Sequence, residues 1–119
     1  MGARPKEITF RILESLLRED RWISRTEIFA EASKWIHPGE AIRRYDVYLK
    51  LDDLDLTDKI YRGSSSIIHE SLKGLVRSGR VDKQGTGGTS SYRRLQRFKS
   101  WQIPNGWSQE DAERIRSEH

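Results

Sequence analysis

Three residues set four apart, His69, Lys73 and Arg77, carry the most legible chemistry of the chain. On an α-helix that spacing lines side chains along one stripe. An imidazole, an ammonium and a guanidinium in a row are donors that suit phosphate oxygens, or the O6 and N7 acceptors of a guanine edge. Ser64, Ser65 and Ser66 come just before them, and hydroxyls beside the free amides of a helix N-terminus would hold an anion. Arg62 leads into the serines as a phosphate contact rather than a base reader. Glu70 sits inside the stripe. It could accept from a cytosine amino group, but the commoner use of such a residue is an ion pair, here with Lys73 at i+3 or Arg77 at i+7.

Basic and small polar residues continue downstream. Lys83, Gln84, Arg93 and Arg94 flank the tip Gly85-Thr86-Gly87-Gly88-Thr89-Ser90. Glycines there let a backbone approach a phosphate closely, with Thr86 and Thr89 as further polar contacts. The charge is unevenly placed. Lys and Arg total 22 against 18 Asp and Glu, a net of only +4. Residues 62–97 nevertheless hold eight basic and two acidic side chains, whereas residues 46–58 hold five aspartates against Lys50 alone. The acidic stretch reads most simply as a solvated connector whose Leu51, Leu54 and Leu56 patch the core. A sharper use would be to repel DNA and so orient the basic face, or to meet the basic surface of a second copy.

Other chemistries drop out. Without cysteine there is no disulfide, thiolate zinc site or cysteine nucleophile. The glycine tip lacks the lysine and following helix of a nucleotide-phosphate loop. A calcium loop begun at Asp53 would need glycine sixth and glutamate twelfth, where Asp58 and Ser64 stand. His37, His69 and His119 lie far apart, so no metal-ligand pair is visible. Leu, Ile, Val and Phe make up 27 of the 119 residues, a core with little room for a catalytic pocket. The expectation is no enzyme, no cofactor and no metal. No apolar run has the length of a membrane span or the core of a signal peptide, so the chain reads as a cytoplasmic protein.

The elements that must position these residues follow from periodicity and punctuation. Ile8, Ile12, Leu13, Leu16 and Leu17 predict a first helix over about 6–19, and Trp22-Ile23 a short strand. Ser24-Arg25-Thr26-Glu27 has the form of a capping box opening a second helix to about 36, stopped by His37-Pro38-Gly39. Residues 40–50 read as a short helix with Ile42, Tyr45 and Leu49 inward, and 51–60 stay unassigned. Gly63-Ser64-Ser65-Ser66 predicts the cap of a helix over 65–78, closed by Gly79. Strands at 80–84 and 91–95 make a hairpin around the glycine tip. In the tail, Phe98, Trp101, Ile103 and Trp107 are too apolar for a solvated linker, and Ser108 could open a last helix.

This order, helix, strand, helix, connector, helix, hairpin, resembles the winged helix-turn-helix family of small bacterial or phage type. The likeness is carried by residues 22–28 opening the second helix, by Tyr61-Arg62-Gly63, by Leu72 through Val81 and by residues 85–95 as the wing. It implies an α+β, mostly helical domain over 1–97, with a long connector at 37–62 before the recognition helix, and a C-terminal extension over 98–119 for packing or homodimer contact. It also implies a regulator of transcription on the nucleoid that binds double-stranded DNA, with the third helix in the major groove and the wing on the backbone or minor groove. The alternative is a winged-helix module that binds another protein and no nucleic acid. Two features depart from the family pattern. The connector is long, and Tyr92 and Leu95, three apart, fall on opposite faces of a strand.

Overall fold

The computed structural model describes residues 5–17, 19, 21–51, 53–94, 110, 113 and 114. Four helices and a small sheet make up this part of the chain, in the order α1 (Pro5–Ser15), β1 (Ile23–Ser24), α2 (Arg25–Ala32), α3 (Pro38–Arg44), α4 (Leu56–Arg77), β2 (Val81–Gln84) and β3 (Ser91–Arg94). The sheet is antiparallel, with β3 between β1 and β2. The mostly helical α+β expectation therefore holds.

Local signals account for most boundaries. Ser24 caps α2, its hydroxyl accepting from the Glu27 amide at 3.1 Å. The other half of the expected capping box is absent, because the Glu27 carboxylate takes two bonds from Arg21. After Ala32 the helix tightens into a 3-10 turn, Ser33–Trp35. His37-Pro38-Gly39 was expected to stop a helix and in fact starts one. The His37 imidazole accepts from the Gly39 amide at 2.9 Å, and Pro38 stands where a missing N–H is harmless. A π turn, Tyr45–Leu49, extends α3 and ends at Lys50, whose φ is +46°. Gly79 closes α4 with φ +74°, while the Gly79 and Arg80 amides return to Val76 and Leu75, a Schellman arrangement.

The largest departure from expectation concerns α4. It begins at Leu56, with the Asp55 side chain accepting from the Asp58 amide at 2.8 Å. The acidic stretch thus supplies the cap and the first-turn carboxylate that a helix dipole favours. Half of the expected connector is helix, and Gly63 through Ser66 are interior positions rather than a cap. Gly63 lies against α3 so closely that a Cβ would fall on the Ala41 carbonyl. Gly63, Ser64, Ile67, Ile68, Ser71, Leu72 and Leu75 form one continuous buried stripe at helical spacing. Its small members admit α3, and its large ones enter the core.

That core joins Ile8, Ile12, Leu13 and Leu17 from α1 and its following turn to Ile23, Ile28, Ala32, Val81, Tyr92 and the α4 stripe. Each fully buried Ile or Leu contributes about 2 kcal/mol. The expected packing of Phe98, Trp101, Ile103, Trp107 and Leu95 lies outside the described residues. From the last ten positions, Arg114 approaches Glu7 of α1 at 3.6 Å.

Candidate functional site

With one face of α4 committed to the core, the opposite face is left to solvent. His69, Lys73 and Arg77 are all exposed on it. A rise of about 1.5 Å per residue puts roughly 12 Å between the first and the last. Arg62 is exposed seven residues before His69, two helical turns back and so nearly on the same stripe. Facing the C-terminal half of the helix is the β2–β3 hairpin, and between them lies a groove of about 340 Å³ lined by His69, Lys73, Val76, Arg77, Lys83 and Tyr92.

Strand alternation decides which hairpin residues face this groove. Lys83 pairs with Tyr92 and Val81 with Arg94, and residues two apart share a face. Lys83 and Arg94 therefore lie on the face of buried Val81 and Tyr92. Gln84 and Arg93 lie on the other face, where Arg93 is opposite Asp82 and Gln84 donates to Ser91 Oγ at 3.0 Å. The expected basic cluster at the hairpin base is thus divided between two faces. At the tip, Thr89 Oγ1 donates to the Thr86 carbonyl at 2.7 Å, which occupies the Thr89 hydroxyl in closing the turn. Gly85 takes φ +80° there, with a would-be Cβ pressed against the Thr89 carbonyl.

Arg25 was not among the residues singled out from the sequence. It opens α2, and its amide donates to the Ser90 carbonyl at 2.9 Å, tying the start of α2 to the end of the hairpin loop. The imidazole of His69 registers the result. Its pKa is lowered, first by burial, then by Arg25, and further by Lys73 and Lys83, with Glu70 acting in the opposite sense. Cations from α2, α4 and β2 therefore converge on one histidine. Among the described residues none of Arg25, Lys73, Arg77 and Lys83 enters an ion pair, whereas Arg11, Arg21, Lys34 and Arg114 pair with glutamates elsewhere. The expected pairing of Glu70 with Lys73 or Arg77 is likewise absent. Glu70 is close enough to His69 to act on it electrostatically, but it leaves the cations uncompensated.

The three serines part company with this site. Ser64 is only 4% exposed, and Ser66 accepts from Arg44 Nε at 3.0 Å. Neither stands at a helix N-terminus, since α4 has already run two turns before reaching them. An anion held by free amides at 64–66 is therefore ruled out. The signal for this was available in the sequence, because stepping back four residues from Ile67 and Ile68 lands on Gly63 and Ser64.

Among the described residues there is no cluster of three potential metal ligands, and no helix is long and apolar enough to cross a membrane. Comparison of the chain with protein-family models, with curated proteins and with solved structures finds no match.

Proposed function

We propose that the protein binds double-stranded DNA through the groove face, as a winged helix-turn-helix regulator of transcription, and that it performs no catalysis. The observation that carries this reading is the set of cations Lys73, Arg77 and Lys83 lining one groove from α4 and β2, with Arg25 of α2 acting on the His69 of the same groove and none of the four in an ion pair among the described residues. A protein has no folding reason to gather like charges, which repel one another; a polyanion supplies the missing counter-charge and releases its own counterions. The element order and the central position of β3 in the sheet support the winged-helix reading. In it the hairpin is the wing and α4 the recognition helix. Such a role would place the protein on the nucleoid of a bacterial or phage-infected cell.

The docking differs in one respect from the sequence expectation. In the N-terminal half of α4, Gly63 packs against α3 and Ser66 is bonded to Arg44, so the stripe His69, Lys73, Arg77 presents the middle and C-terminal half of the helix to the major groove. Its span of about 12 Å is comparable to the width of that groove. Lys83 and Arg94 then reach phosphates flanking it, with the tip following the backbone.

Salt tests this directly. Binding to random duplex DNA should weaken with a log–log slope near −0.9 per neutralised phosphate, hence roughly −4 for four or five contacts. Absence of binding at about 50 mM salt would end the reading.

A further inference from the structure

From Glu7 to Leu17, along α1 and into the turn after it, no residue is exposed, whereas α2, α3 and α4 each turn exposed residues to solvent. One arc of α1 is accounted for, since Ile8, Ile12, Leu13 and Leu17 enter the core. The outer arc carries Glu7, Phe10, Arg11 and Glu14, three or four positions apart, and charged residues on such a face ordinarily reach water. Here Glu7 and Arg11 pair at 3.3 Å with only 16% and 14% of their side chains exposed, against 45% and 71% for the Glu31–Lys34 pair. Phe10 is completely buried, although among the described residues the core cluster does not take it in. Trp35 shields the Arg11 edge, with the guanidinium 5.9 Å from its ring, but Phe10 lies about 100° round the helix from Arg11. A phenyl ring withdrawn from water on that arc requires other apolar groups above it.

Where the chain ends indicates what lies there. Arg114 Nη2 stands 3.6 Å from Glu7 Oε1 on the outer arc, so the C-terminal end of the same chain reaches α1. Residues 95–109 intervene between the end of β3 and Glu110. Extended, they span about 50 Å, enough to cross a molecule 45 Å in its longest dimension. This stretch holds most of the large apolar side chains outside the described residues, namely Leu95, Phe98, Trp101, Ile103 and Trp107. We propose that the outer arc of α1 is the docking surface of the chain's own C-terminal segment, with residues 98–107 laid over Phe10 and the Arg114–Glu7 contact beyond them. The tether favours docking in cis. A segment joined to β3 meets α1 at an effective concentration in the millimolar range, which a second copy matches only when the protein itself is that concentrated. An exposed ion pair contributes little, so the aromatic contact is what holds the segment. The segment then ties β3, the central strand of the sheet, to α1 and closes the core instead of serving as a dimer arm. This inference does not rest on the DNA reading.

Because the chain has no cysteine, two introduced thiols are unique. In the full chain carrying Glu7→Cys and Arg114→Cys, a short bismaleimide should join the two positions within one molecule in dilute solution, and mass spectrometry should find a single chain in the linked product. A linker bridging two chains would put the segment on a second copy, and one attached at a single thiol would put it away from α1; either overturns the proposal. Urea unfolding of the full chain tests the aromatic contact. Phe10→Leu should raise the unfolding equilibrium constant, and so should Trp101→Leu combined with Trp107→Leu. All three together should raise it at least about fivefold less than the product of the separate effects, since residues in contact do not act independently. Effects that multiply in full overturn the proposal, with another part of the chain then covering Phe10. Neither readout involves duplex binding, so this proposal and the DNA reading fail separately.

Discussion

The two halves of α4 are built from similar residue types and do opposite work. In the N-terminal half, Gly63, Ser64 and Ser66 look like the mobile, hydroxyl-rich entry to an anion site. They are instead spent on packing, with Gly63 against the Ala41 carbonyl, Ser64 buried and Ser66 bonded to Arg44. In the C-terminal half, His69, Lys73 and Arg77 point away from the core and find no protein partner among the described residues. Whether a polar side chain is available for binding is decided by what packs on its side of the helix, and α3 covers one half only. Polar groups satisfied inside the fold stabilise it, while those left unsatisfied outside are the ones a ligand can use.

Glycine substitutions probe that contrast most strongly. Gly63→Ala should destabilise by about 3 kcal/mol, the cost of forcing atoms into a packed contact whose opposing atoms are backbone. Gly74→Ala, where a Cβ meets nothing within 4 Å, should stabilise by about 0.5–1 kcal/mol through helix propensity. Urea unfolding measures both, and a stabilising Gly63→Ala would break the comparison.

Charge removal comes next. Lys73→Ala or Arg77→Ala should each weaken duplex affinity about tenfold, near 1.4 kcal/mol, with stability unchanged, and should flatten the salt slope by about one if the contact is to phosphate. Arg93→Ala, on the other face of the hairpin, should do less, and equal losses for Arg93 and Lys83 would sink the division of the two faces.

His69 adds a pH dependence of similar or smaller size. Its pKa in the free protein lies below the ordinary 6.5, so the unfolded chain takes up its proton first. Stability is therefore present in full above about pH 6.5 and falls as the pH drops through that value toward the lowered one. Bound phosphate favours the charged imidazole. Duplex affinity should accordingly rise as pH falls from about 8 to 6, by at most about tenfold per unit for one proton. His69→Gln should abolish that rise; a pH profile unchanged by the substitution would remove His69 from the interface.

The serines give the smallest binding effects. Ser65→Ala and Ser66→Ala should alter duplex affinity less than about twofold, while Ser66→Ala costs roughly 1 kcal/mol of stability by orphaning Arg44. A tenfold loss of affinity in fluorescence titration would restore the serines to the site.

Much of this molecule was legible before its structure. The Ser24 cap, the Gly79 stop and the hairpin around residues 85–90 were readable because each is specified by neighbours a few positions apart. The start of α4 was not, because Asp55 caps a first turn whose Leu56 and Thr57 show no apolar period. Gly63-Ser64 imitates a break, although it continues the stripe of Ile67 and Ile68. Arg25 was missed because its importance arises from β1 pairing with β3, which brings it beside Ser90.

Sequence alone determined the helical periods, the caps, the glycine-dependent turns and the concentration of positive charge after residue 62, since these depend on short-range geometry and composition. Tertiary structure alone decided which of those charges share a groove, which serines are buried and which apolar residues remain outside. Those outcomes depend on helices and strands far apart in the chain meeting in space, and a Cβ that clashes with a carbonyl twenty-two residues away leaves no trace in local pattern.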